Sequence, residues 1–159
     1  MSEEFFKLNS DLASAEADKD FPSLKAATGE MKLELIRGAN VEKLVATSFY
    51  MGAGENRALI YAHFDDKADG RKVKLDCYKK LEAGKSYKFY PHSGAELYVW
   101  FVDNYHDSFG TGILDVEKIL MQPPEPYIKG SFNFECEDTS GSGFMTVVVK
   151  DFWIKGDMS

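Results

Sequence analysis

From Glu30 onward the chain keeps a two-residue rhythm of apolar and polar side chains, and no other feature narrows its fold as far. Met31, Leu33 and Leu35 alternate with Lys32, Glu34 and Ile36 before Gly38 closes the run. Val45, Thr47, Phe49 and Met51 repeat the pattern up to Gly52-Ala53-Gly54. Successive side chains of a pleated strand point to opposite faces, so only β structure sorts this rhythm into an inside and an outside.

The same period marks the rest of the chain. Between Leu59 and Phe64 both parities are largely apolar, which predicts a central strand covered on both faces. Val73, Leu75 and Cys77 alternate with Lys72, Lys74 and Asp76, which predicts a strand with one dry and one wet face. Leu97, Val99 and Phe101 oppose Tyr98, Trp100 and Val102. Ile128, Gly130, Phe132, Phe134 and Cys136 form one arm of a terminal hairpin, and residues 144–154 form the other. Turn formers separate the runs, most densely at residues 65–70 and 138–143.

About eight strands at this spacing predict a mostly β fold, an antiparallel sandwich or barrel. One or two short helices are expected beside them. One lies at the N-terminus, where Phe5, Leu8 and Leu12 make a single helical stripe. The other is a helical turn or two at Val116-Glu117-Lys118-Ile119-Leu120. The expected organisation is a helix or loosely docked arm over residues 1–29 and one antiparallel β domain over 30–159. Residues 103–111 read as a long loop, and Gln122-Pro123-Pro124-Glu125-Pro126 as a stiff extended connector.

A length of 159 residues suits one domain, and an aromatic share of 14% favours a packed core over disorder. The formal net charge of −7 gives no bulk attraction to nucleic acid or to an anionic membrane. Residues 81–159 hold 12 acidic and six basic side chains, so this half is where a basic partner or a cation is expected. No stretch approaches the roughly 20 apolar residues of a membrane-spanning helix. The acidic start Met1-Ser2-Glu3-Glu4 is unlike a secretion signal, which points to the cytoplasm or to export without a cleavable signal. Two cysteines, Cys77 and Cys136, are too few for a disulfide scaffold, and free thiols are expected.

Chemical motifs are sparse. His63, His92 and His106 share no metal-ligand spacing. Ser140-Gly141-Ser142-Gly143 is a hairpin tip and lacks the strand–turn–helix context of a nucleophile elbow. Asp65-x-Lys67-x-Asp69-Gly70 resembles the start of a calcium loop, but Lys67 stands where an oxygen ligand belongs, so it reads as a turn. No cofactor is expected. Calcium is the one metal with a candidate oxygen cluster, at Asp103, Asn104, Asp107 and Asp115. A basic stripe, Lys67, Arg71, Lys72, Lys74, Lys79, Lys80, Lys85 and Lys88, reads as a solvated face or protected edge.

The densest signal is aromatic: residues 87–109 hold eight rings, Tyr98 and Trp100 on the parity away from the core. Rings with a polar tip suit half-wet surfaces and dominate binding hot spots. The expected ligand-binding set is Tyr98, Trp100, Asp103, Asn104, Tyr105 and Asp107. The function expected first is a non-enzymatic binding or protein-interaction domain, acting on a protein partner or by self-association as a homo-oligomer. A carbohydrate-binding, lectin-like module, calcium-assisted or not, is the second reading. A small hydrolase with its site in residues 103–111, around His106 and Asp107, is the third.

Overall fold

The computed structural model describes residues 24–65, 70–91, 94–103, 106–138 and 143–157. The N-terminal stripe, His92, Lys67, Asp69, Asn104, Tyr105 and the hairpin tip Ser140–Ser142 lie outside them. Eleven strands join in one sheet: β1 (Lys25–Arg37), β2 (Asn40–Val45), β3 (Ser48–Ala53), β4 (Ala58–His63), β5 (Lys72–Cys77), β6 (Ser86–Phe89), β7 (Leu97–Asp103), β8 (His106–Phe109), β9 (Thr111–Leu120), β10 (Tyr127–Glu137) and β11 (Phe144–Gly156). Their order is β6-β9-β10-β11-β1-β3-β4-β5-β7-β8, with β2 paired beside β1. Every pairing is antiparallel.

This sheet curls into a half-barrel. Register shifts fall between Met31 and Glu34, between Gly130 and Phe132, and between Lys129 and Gly130, on neighbouring strands. A bulge bends its strand and increases the local twist, so shifts on adjacent strands roll the sheet. The two ends approach each other at β7. Tyr90, just past β6, donates its N–H to Leu97 O at 3.4 Å, while the Gly110 N–H, donating to Val99 O at 2.8 Å, extends the β7–β8 ladder by one residue. Gly110 permits this approach, because a Cβ there would sit 2.3 Å from the Phe134 ring and 2.7 Å from Val99.

The curl encloses one large apolar cluster drawn from both ends of the sheet. Phe132 is its hub, with ring contacts to Phe152 at 5.3 Å, Phe134 at 6.1 Å and Phe89 at 6.4 Å. Leu97, Val99 and Phe101 join it, as the alternation predicts. β4 is buried along its whole length, again as its two apolar parities predict. Cys77 and Cys136 are both buried free thiols, and burial pushes each up to about 12. No helix among the described residues is long and apolar enough to cross a membrane.

Several expectations are corrected. The described residues contain no helix, and the chain from Val116 to Leu120 belongs to β9. Val116 before Glu117-Lys118 and Ile119-Leu120 after it satisfy a helical turn locally, but the ladder to Gly130, Lys129, Ile128 and Tyr127 settles it as strand. Residues 106–109 are not loop but β8, whose four residues complete a hairpin with β7. The described residues form 11 strands rather than about eight, in one curled sheet nearer to the barrel than to the sandwich of the two expected alternatives. The first strand starts at Lys25, five residues before the expected boundary. The run through Val45 and Met51 breaks at residues 46–47 into β2 and β3, which pair with different halves of β1. Residues 122–125 bend, with a cis peptide between Pro123 and Pro124, instead of running extended.

Candidate functional site

The outer face of β5 departs most from its sequence pattern. Its polar parity, expected to be wet, is covered: Lys72 is 4% exposed and Asp76 5%. Two arrangements make this tolerable. The Arg57 guanidinium, one residue before β4, pairs with Asp76 at 3.2 Å through Nε. The Lys72 and Lys74 ammonium groups lie 5.8 and 5.5 Å from the centre of the Tyr61 ring, their stems covering apolar surface while the charge meets the π face. Tyr61 is consequently 1% exposed, in a small outer cluster with Leu24, Leu59 and Tyr50.

From this covered patch a continuous row of rings leads outward across the sheet. Tyr50 meets His63 edge-on at 5.4 Å, and His63 lies 6.2 Å from Tyr61. Lys74 bridges Tyr61 to Trp100, 4.8 Å from the indole. Trp100 stacks on Tyr98 at 5.6 Å and packs on Phe109 of β8 at 4.9 Å. Tyr98 meets Tyr78 edge-on at 5.8 Å, and Arg57 closes the row 3.9 Å above the Tyr78 ring. Cross-strand register explains the order, since Lys74 opposes Trp100, Asp76 opposes Tyr98 and Trp100 opposes Phe109.

Toward its outer end the row opens to solvent. Tyr98 and Trp100 are half-buried, while Phe109 is 47% exposed. Tyr78, Tyr98, Trp100, Gly94 and Ala95 line a depression of about 380 Å³. Its walls are pinned: the Ala95 N–H donates to the Tyr98 hydroxyl at 3.1 Å, and Arg57 donates to the Tyr78 hydroxyl at 2.9 Å. A rigid ring face with its polar tips satisfied loses little freedom on binding, which favours contact.

The structure places the expected site residues unevenly. Tyr98 and Trp100 share the outer face, and Asp107 shares it through its pairing with Val102. Asp103 ends β7 on the parity of Leu97, Val99 and Phe101, away from the rings. Asn104 and Tyr105 lie outside the described residues. His106 and Asp107 are successive strand residues, so the pleat sends them to opposite faces. Asp115 is on β9, where it accepts a hydrogen bond from Ser86. Among the described residues no group of three or more His, Cys, Asp or Glu side chains is placed to hold a metal ion. Asp65 closes the β4–β5 turn instead, accepting from the Arg71 backbone and side chain at 2.8 Å. The basic stripe is dispersed into pairs, Lys79 with Glu96 at 2.9 Å and Arg71 with Asp65 and Glu42.

Tyr78, Arg57 and Phe109 were not singled out by motif. Tyr78 carried a signal, because it continues the Lys72-Lys74-Asp76 parity one step past β5. Arg57 carried none, since its partner stands 19 residues away. His63 falls to about pKa 4, first through burial and second through the Lys72 charge, so it is a neutral ring at physiological pH. Comparison of the chain with family models, curated proteins and solved structures returns no match.

Proposed function

We propose that the protein is a non-enzymatic binding module that engages its partner through the outer-face shelf of Tyr98 and Trp100, flanked by Tyr78 and Phe109. One observation carries this reading. The inner face of β7 is wholly committed to the core, yet its outer face presents two stacked, half-exposed rings beside a depression of about 380 Å³. Aromatic anchors of this kind supply most of the energy of protein contacts, and exposed ones are otherwise a solubility cost.

A carbohydrate ligand is the second reading. Half-exposed tyrosine and tryptophan rings offer apolar faces against which the C–H bonds of a sugar ring pack. Both readings are tested on glycan and peptide arrays, with and without chelator, using wild type and Tyr98→Ala/Trp100→Ala. Signals lost in the double variant support the shelf, and their chemical class decides between protein and glycan. Signals that the double variant keeps, or none on either array with sedimentation showing only monomer, contradict it.

A further inference from the structure

The half-barrel has an open seam beside the shelf, and the seam has its own chemistry. The sheet ends at β8, whose outer edge pairs with no strand among the described residues. On the facing side, β9 leaves β10 after the Glu135–Thr111 pair, so Cys136 and Glu137 continue with β11 alone. Between these edges lies a cleft of about 380 Å³ lined by Pro91, Asp107, Ser108, Phe109, Thr111, Glu135, Cys136, Glu137 and Phe144.

Two properties set what fits there. Phe109 at 47% and Phe144 at 67% exposure are among the largest apolar side chains left open to water, and both line this one cleft. The charged lining is acidic throughout, with Asp107, Glu135 and Glu137 and no cation. Arg37, whose charge acts on Cys136, is engaged by Asp138 at 3.0 Å and Glu42 at 3.7 Å. The negative field reaches the floor, where Asp138, Glu135 and Glu137 add to burial in raising the Cys136 thiol.

We infer that this seam binds an extended peptide carrying lysine or arginine next to apolar side chains. The free edge of β8 offers the main-chain hydrogen bonds of strand addition, with alternate side chains then reaching the seam's two rings and its carboxylates. Glu135 and Glu137 select cations and repel acidic segments such as those of this chain. The site is separate from the Tyr98–Trp100 shelf, sharing with it only the Phe109 ring.

The probe is a short peptide of alternating lysine and leucine, with the glutamate–leucine peptide as its control, titrated into the full-length protein. The lysine peptide binds and the glutamate peptide does not. Glu135→Lys/Glu137→Lys weakens binding by about tenfold or more, because complementary charge becomes like charge. Phe144→Ser, at a position whose exposure makes misfolding no concern, weakens it as well. Tyr98→Ala leaves it unchanged, so failure here is distinguishable from failure of the shelf. Raising salt from about 0.1 M to 1 M, which cuts the screening length from about 10 Å to 3 Å, releases the peptide. Equal binding of both peptides, or retention by the charge-reversed variant, overturns the inference. Competition by a neutral oligosaccharide also overturns it, as does concentration-dependent self-association that the charge reversal abolishes.

Discussion

The two faces of one strand, β7, show how the molecule divides its work. Inward, Leu97, Val99 and Phe101 enter a cluster of phenylalanine and aliphatic side chains with no polar partner to satisfy. Outward, Tyr98 and Trp100 join a row in which nearly every ring touches a cation, an N–H donor or solvent. The inner face draws on area removed from water, which is non-directional and stabilises the fold. The outer face draws on oriented contacts, which hold a surface in shape and leave part of it exposed. Substitutions on the two faces should therefore separate stability from recognition.

The largest effect is expected at the hub of the inner face. Phe132→Ala leaves a cavity among Phe89, Phe134 and Phe152 and should cost about 4 kcal/mol, read from the urea midpoint, with binding to the shelf unchanged in the folded fraction. Next comes the covered end of the outer face. Arg57→Ala strands Asp76 in a site where it is 5% exposed and should cost about 3 kcal/mol. It also loosens Tyr78, so binding should weaken too. Such a mixed result would show that the outer row grades from structural at β4 to functional at β7.

His63 sharpens the same boundary through pH. Its folded pKa of about 4 lies below the ordinary 6.5, so the unfolded chain binds more protons between these values. Stability is thus fully present above about pH 6.5 and declines as pH falls toward 4, by about 3 kcal/mol in all. His63→Gln should flatten that part of the profile; a profile unchanged by the substitution would show the imidazole is already charged in the folded state. A smaller effect is expected at the closure. Gly110→Ala forces a Cβ against the Phe134 ring and should cost about 2 kcal/mol by overpacking. The smallest stability effect belongs to the shelf, where Trp100→Ala should cost about 1 kcal/mol while abolishing whatever the arrays detect.

What could be foreseen follows the same division. Alternation along β7 and β10 and the double apolar parity of β4 are local, and they gave the correct inward faces. The buried polar row on β5 was not legible, because it depends on Arg57 and Tyr61 arriving from another strand. Lys72 and Asp76 look wet until their partners are known. β8 was hidden for a similar reason: a four-residue strand rich in His, Asp and Ser has no period of its own and exists by pairing with β7. The seam is a property of strand order, which the alternation does not encode. Of the expected site, the ring pair was legible from parity, whereas the acidic members were grouped by proximity in sequence, and the pleat separates them.

The account rests on Trp100 facing solvent from a strand whose opposite face is sealed in the core. Acrylamide quenching of Trp100 fluorescence in a Trp153→Phe background measures this directly. The account predicts ready quenching in the native state and only a modest further rise on unfolding in urea. Native fluorescence that resists the quencher until the protein unfolds would contradict it.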